Sequence, residues 1–115
     1  MSPEDGVSAW QSYIRPLADQ GYTLGSPATT SAPDGFDWMT NFMQQCNDCA
    51  VTDIALHWYD VHFSDFQTYV EKWATAFKKP VRITEFACQV RHLLLFGLVD
   101  EGANRIYAHT ELQWR

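Results

Sequence analysis

The sequence predicts an α/β fold in which helices alternate with the strands of a parallel sheet. Three short apolar runs have the composition of buried strands, and their centres at Leu24, Ile54 and Ile83 lie about 30 residues apart. That spacing is typical of right-handed strand-helix-strand units, and each interval also contains a stretch with helical periodicity. The spacing alone does not distinguish a doubly wound sheet from a barrel. No glycine-rich nucleotide-binding motif follows any of the three strands.

The first unit begins with a helix that Ser2 caps, with Pro3 at the first helical position. Pro16 lacks a backbone N–H, so we expect it to kink or end this helix near Arg15. A short strand at residues 22–25 follows. The apolar stripe of the helix comprises four residues: Val7, Trp10, Ile14 and Leu17.

The second unit begins at Asp34, which is expected to cap a helix with Asp37 three residues later. A strand at residues 51–57 follows this helix. Five residues form the stripe that the helix is expected to bury: Phe36, Met39, Phe42, Met43 and Cys46.

The third unit begins with Ser64 and Gln67, which are spaced as a capping box. Pro80 ends the helix, and a strand follows at residues 81–86. The stripe of this helix is again aromatic and apolar: Phe66, Tyr69, Val70, Trp73 and Phe77. Residues 90–115 show no clear period, so we expect an irregular C-terminal segment.

The composition is that of one globular domain with an acidic surface. The chain has 115 residues, 46% of them hydrophobic, and a net charge of −6. This charge, without clustered Lys or Arg, argues against a nucleic-acid partner or an anionic membrane surface. The longest apolar run, residues 93–99, is too short to span a bilayer. Residues 1–10 have the pattern of a helix start and not that of a secretory signal.

Glu85 is the main candidate for chemistry, because it lies near the end of the third strand. Val81 and Ile83 share its side of a period-two strand, so we expect the carboxylate at the rim of a core. The end of the second strand carries His57, Trp58 and Tyr59. A carboxylate beside aromatic rings suits a sugar, although aromatic residues after a strand more often pack in a core. A buried histidine satisfied by the backbone is an equal alternative for His57.

Three cysteines, Cys46, Cys49 and Cys88, allow several interpretations. A thioredoxin-like site is disfavoured, because its Cys-x-x-Cys pair opens a helix after a strand, whereas this pair follows a helix. A zinc site would need two more ligands at suitable spacing. We therefore expect a structural disulfide between two of the three cysteines, or buried thiols, and neither a metal nor a cofactor.

Several motifs, in their order and spacing, resemble the fungal glycoside hydrolases of family 128. The resemblance runs from about Ser2 to Cys88 and rests on Gly25-Ser26-Pro27-Ala28, Trp38-Met39-Thr40-Asn41-Phe42, the Cys46 to Cys49 segment, His57-Trp58-Tyr59 and Ile83-Thr84-Glu85-Phe86-Ala87-Cys88. It implies a partial (β/α)8 TIM barrel comprising about strands five to seven, with residues 1–89 as a partial catalytic domain and residues 90–115 as a divergent tail. It also implies a retaining mechanism, β-1,3-glucan as the substrate, and a location in the cell wall or outside the cell.

The resemblance assigns Glu85 as the nucleophile at the end of strand seven. It places His57, Trp58 and Tyr59 beside the nucleophile at the end of strand six and Ser26 at the end of strand five, all as substrate-binding positions. The general acid/base of the family lies in an Asn-Glu-Pro motif, which these 115 residues do not contain. We therefore expect an incomplete or altered gene product with little hydrolase activity. A non-catalytic carbohydrate-binding fragment is the alternative, and exposed barrel edges could allow self-association.

Overall fold

A computed structural model of the chain describes residues 1–87, which form an α/β fold with a three-stranded parallel sheet of order β1-β2-β3. The α/β prediction is therefore confirmed, whereas the predicted irregular segment and the tail at residues 90–115 lie outside the described residues. In order, the elements are α1 (Pro3–Ala9), a π-helical turn (Trp10–Ile14), α2 (Arg15–Ala18), β1 (Leu24–Gly25), α3 (Pro33–Gln45), β2 (Val51–Tyr59), α4 (Phe63–Phe77) and β3 (Val81–Ala87).

The N-terminal helical segment begins as predicted but does not end at Pro16. The Ser2 side chain accepts a hydrogen bond from the Asp5 N–H at 3.1 Å, which confirms the expected cap. Before Pro16, the helix widens into a π turn in which the Arg15 N–H bonds to the Trp10 carbonyl. Because proline cannot donate and crowds the carbonyl four residues earlier, the wider turn lets the segment remain helical to Ala18.

The N-caps of α3 and α4 each lie two residues earlier than predicted, at Ala32 and His62. Helix α3 begins at Pro33, whose fixed φ and missing N–H suit the first helical position, so Asp34 is not the cap. Helix α4 begins at Phe63, which puts Ser64 inside the helix, and no side chain caps this end. The predicted capping box of Ser64 and Gln67 is therefore wrong.

The hydrophobic core lies between the helices and one face of the sheet. Its fully buried side chains come from both layers: Met39 and Phe42 of α3, Trp73 of α4, and Ile54 and Leu56 of β2. Trp73 of α4 meets Phe36 of α3 edge-on, with ring centroids 5.1 Å apart. The predicted stripes therefore supply the core. Within residues 1–87, no helix is both long and apolar enough to cross a membrane.

The pairing of β2 with β3 contains a bulge that positions the end of β3. Leu56 pairs with Ile83, but the next residue, His57, pairs with Glu85. Thr84 is therefore an extra residue, and two residues of β3 oppose one of β2. Both strands also run further than predicted, to Tyr59 and Ala87.

Candidate active site

Glu85 does not share a face with Val81 and Ile83, and that expectation is wrong. Val81 and Ile83 point toward α4, where they line an apolar cavity of about 240 Å³ together with Phe66 and Val70. A regular strand would place Glu85 on the same face, because alternate residues point the same way. The extra residue at the bulge reverses this alternation and turns Glu85 to the opposite face of the sheet.

On that face, Glu85 contacts two side chains of β2. The Tyr59 hydroxyl donates a hydrogen bond to Glu85 Oε2 at 2.5 Å, and His57 Nδ1 lies 3.5 Å from the same oxygen. The Glu85 side chain is 43% exposed, so solvent or a ligand can reach a carboxylate that protein groups hold in place. A phenol donating to a carboxylate is a charge-assisted hydrogen bond, which fixes the orientation of the acid. The structure thus brings together three of the predicted site residues.

Trp58 lies on the other face of the sheet from His57 and Tyr59. Its ring centroid is 5.0 Å from that of Tyr69 and 5.7 Å from that of Phe66, both on α4. Successive residues of a strand point to opposite faces, so Trp58 faces the helices while its neighbours face the site. The structure therefore separates this predicted site residue from Glu85.

Ser26 uses its hydroxyl to extend the sheet beyond β1. Its side chain is buried, and Oγ accepts from the Ala55 N–H at 2.9 Å and donates to the Pro27 carbonyl at 2.9 Å. The Ser26 N–H also bonds to the Asp53 carbonyl at 2.8 Å. Backbone groups of the neighbouring strand thus hold this predicted site residue on both its main chain and its hydroxyl.

An ion pair of Arg82 with Asp53 was not predicted. Arg82 Nε lies 3.0 Å from Asp53 Oδ2, and the Asp53 side chain is only 10% exposed. The shared face of Asp53 and His57 follows from the period of the strand, but the partnership with Arg82 depends on how β2 and β3 pair. Because Asp53 lies four residues before His57, about 13 Å along the strand, it is too far from Glu85 to complete a carboxylate pair.

The cysteine pair forms a disulfide between Cys46 and Cys49, whose Cα atoms are 5.4 Å apart. The expected disulfide between two of the three cysteines is therefore confirmed for Cys46 and Cys49. Cys88 lies outside the described residues. The N-terminal helical segment contacts the loop that the disulfide closes, because Trp10 Nε1 donates to the Cys49 carbonyl at 2.9 Å. Among residues 1–87, no three His, Cys, Asp or Glu side chains are grouped closely enough to hold a metal ion.

Two of the solved structures that are similar to this fold are GH128 proteins with 29–30% sequence identity. An endo-β-1,3-glucanase of family GH128, subgroup IV, from Lentinula edodes matches with a TM-score of 0.69 and 30% identity, over 76% of this chain and 36% of that one. An oligosaccharide-binding protein of GH128 subgroup VII from Trichoderma gamsii matches with a TM-score of 0.69 and 29% identity, over 78% of this chain and 35% of that one. The chain thus spans little more than a third of either structure.

Comparison by sequence also finds similarity to a known protein and to a family of glycosyl hydrolases. The chain is 39% identical over 92 residues to Alkali-sensitive linkage protein 1 of Schizosaccharomyces pombe, a match that covers 76% of this chain and 17% of that protein. The model of a family described as glycosyl hydrolase catalytic core matches residues 1–105. Because that match covers nearly the whole chain, the protein belongs to the glycosyl hydrolase catalytic core family.

Proposed function

We propose that this chain carries the nucleophile side of a retaining glycoside hydrolase site for β-1,3-glucan, with Glu85 as the nucleophile. The observation that supports this role best is the Glu85 carboxylate, which the Tyr59 hydroxyl holds at the end of β3 while solvent still reaches it. In a (β/α)8 barrel, the carboxyl ends of the strands carry the active site. Strands β1 to β3 would then correspond to strands five to seven of such a barrel.

In the first step of this mechanism, the Glu85 carboxylate attacks the anomeric carbon and the glycosidic bond to the leaving oxygen breaks. The product is a covalent glycosyl ester of Glu85, which water later hydrolyses to release the sugar and restore the carboxylate. Tyr59 and His57 would orient the carboxylate, and the Tyr59 hydroxyl would stabilise the negative charge when it returns. Both side chains would also border the bound sugar. A glucan ring would lie over the exposed edge of Tyr59.

A retaining site needs a second carboxyl group, about 5–5.5 Å from the first, to protonate the leaving oxygen. The 115 residues contain no Asn-Glu-Pro motif to supply it in the manner of the family, so we expect natural glucan to be cleaved very slowly by this chain alone. Loss of an acid/base group typically reduces rates by about a hundred- to ten-thousand-fold.

Two of the predicted substrate contacts receive other roles in this proposal. Trp58 would stabilise the contact between β2 and α4, where its ring meets Tyr69 and Phe66. Ser26 would hold β1 against β2 through the Ala55 N–H. Glucan contact would then depend on His57 and Tyr59. A location in the cell wall or outside the cell, and self-association through the sheet edges, belong to the same proposal.

The decisive experiment uses a substrate that needs no acid. A dinitrophenyl β-laminaribioside has a leaving group that departs without protonation, so a competent nucleophile releases dinitrophenolate even where the acid is missing. We expect slow release and a glycosyl adduct on the peptide containing Glu85, detected by mass spectrometry. Glu85→Gln keeps the size of the side chain and should abolish both signals, and an adduct on any other residue would contradict the proposal.

Oligosaccharide binding without hydrolysis is the second candidate. It is favoured by the similarity to the Trichoderma gamsii protein, which is described as oligosaccharide-binding. A pull-down on insoluble β-1,3-glucan tests it beside the dinitrophenyl assay. Retention on the glucan with no dinitrophenolate release would favour binding alone, whereas release that depends on Glu85 would favour the hydrolase.

A further inference from the structure

Within residues 1–87, the sheet contains two bulges in each of which a threonine is the extra residue. Between β1 and β2, Leu24 pairs with Val51 and the next pair is Gly25 with Asp53, so Thr52 is the extra residue. The Thr52 hydroxyl lies 3.0 Å from the Leu24 carbonyl oxygen and 2.8 Å from Asp53 Oδ1, so these two acceptors share one donor. This threonine therefore bonds to the last residue of the neighbouring strand that is paired before the register shifts.

The second bulge repeats the arrangement one strand further along the sheet. Thr84 is the extra residue between β2 and β3, and its hydroxyl donates to the Leu56 carbonyl at 3.3 Å. Leu56 is again the last residue paired before the shift, and in both bulges the acceptor lies 28 residues before the threonine. A bulge disrupts the ladder of backbone hydrogen bonds, so a side-chain donor at this point helps to satisfy a carbonyl.

The bulge at Thr84 decides which residue enters the candidate site. Without it, the register set by Leu56 and Ile83 would continue, and Thr84 would lie beside His57. Glu85 would then lie beside Trp58, on the face that meets the aromatic side chains of α4. With the bulge, Phe86 takes the place beside Trp58 and packs against the core, and Glu85 lies beside His57.

We propose that Thr84 is the positioning residue for Glu85: its hydrogen bond to the Leu56 carbonyl holds the bulge that turns the carboxylate toward Tyr59 and His57. The inference rests on the proposed role of Glu85 for its functional meaning, but the geometry it predicts does not depend on glucan. Valine has the shape of threonine without the hydroxyl, whereas serine keeps the hydroxyl. The two substitutions therefore separate the hydrogen bond from side-chain volume.

The test measures nuclear Overhauser contacts between the Tyr59 ring and the Glu85 side chain in the full chain. We expect Thr84→Val to reduce these cross-peaks by half or more, and Thr84→Ser to restore them. Thr52→Val is the matched control, because it removes the hydroxyl from the other bulge and leaves the pairing of His57 with Glu85 in place. The Tyr59–Glu85 cross-peaks of Thr52→Val should equal those of the unaltered chain, even if its melting temperature falls as much as that of Thr84→Val.

Thr84→Ala is measured beside these variants, because it removes the hydroxyl without putting a methyl group in its place. If Thr84→Val does not fold, Thr84→Ala can still be compared with Thr84→Ser. Full-strength Tyr59–Glu85 contacts in Thr84→Ala or Thr84→Val would overturn the inference, as would an equal loss in Thr52→Val. Either result leaves the nucleophile proposal standing, since that proposal depends on the Glu85 adduct and not on Thr84.

Discussion

The Tyr59 hydroxyl reaches back along the sheet to Glu85, donating to Oε2 at 2.5 Å although the backbone of Tyr59 pairs with Ala87. His57 is the residue paired with Glu85, and its Nδ1 lies 3.5 Å from the same oxygen. Glu85 therefore contacts His57, which lies directly beside it on β2, and Tyr59, which lies two residues further toward the end of β2. Because both side chains contact the same oxygen, we expect changes at Tyr59 to alter the position of the Glu85 carboxylate.

Removing the Tyr59 hydroxyl should impair the nucleophile without unfolding the protein. In Tyr59→Phe, the Glu85 carboxylate loses the donor that orients it toward the anomeric carbon, and misplacing a catalytic group can slow a reaction by up to about a hundredfold. The rate of dinitrophenolate release from dinitrophenyl β-laminaribioside measures this loss. An unchanged rate, with the melting temperature also unchanged, would exclude Tyr59 from the chemistry.

Trp58 and Tyr59 are adjacent in the chain, but they should differ sharply in their effect on stability. Trp58→Ala removes a ring that packs on Tyr69 and Phe66, so we expect the free energy of unfolding to fall by about 2–4 kcal/mol. Tyr59→Ala should cost less than Trp58→Ala, because Tyr59 is 37% exposed and water can replace its hydrogen bond to the exposed Glu85 carboxylate. Urea denaturation of both variants checks the contrast, and equal losses would contradict the assigned faces.

Ser26→Ala should destabilise the sheet even though it changes one small side chain. The substitution leaves the buried Ala55 N–H without its acceptor, at an expected cost of about 1–3 kcal/mol. Ser12→Ala is the control, because its exposed hydroxyl bonds to the Ser8 carbonyl one turn earlier in the same helical segment. Thermal unfolding compares the two variants, and a Ser26→Ala protein as stable as the control would show that the ladder tolerates the loss.

Tyr69 should lower the stability of the fold in strong alkali. Burial raises the pKa of its phenol from 10.0 to about 12, because the ionised form is poorly solvated beside Trp58 and Trp73. The folded state therefore holds the proton more tightly than the unfolded state. Its stabilising effect is complete below pH 10 and is lost as the pH rises from there toward 12.

Ring-labelled tyrosine followed by NMR across this range checks the prediction for Tyr69. One signal should titrate near the folded value, and Tyr69→Phe should remove that signal. The Phe variant should also lose less stability between pH 10 and 12 than the unaltered chain. A Tyr69 signal that titrates near pH 10 would show that the phenol is not shielded.

The order of the elements and the core could be predicted from local patterns. Helical stripes and apolar strands recur at fixed spacing, because side-chain direction within one element depends only on the period of that element. Helix starts were less certain, since Pro33 and Phe63 begin their helices without the side-chain caps that the sequence suggested. Glu85 was identified from its place at a strand end.

Local patterns along the chain were enough to predict three helix-strand units, the apolar stripes that bury the core, and Glu85 as the main candidate carboxylate. The face on which Glu85 lies could be learned from the fold alone, because the bulge at Thr84 depends on hydrogen bonds to β2, 28 residues earlier in the chain. The same holds for the partnership of Arg82 with Asp53. Local periodicity fixes how side chains alternate within a strand, but pairing between strands fixes the register, and one extra residue reverses every side chain that follows.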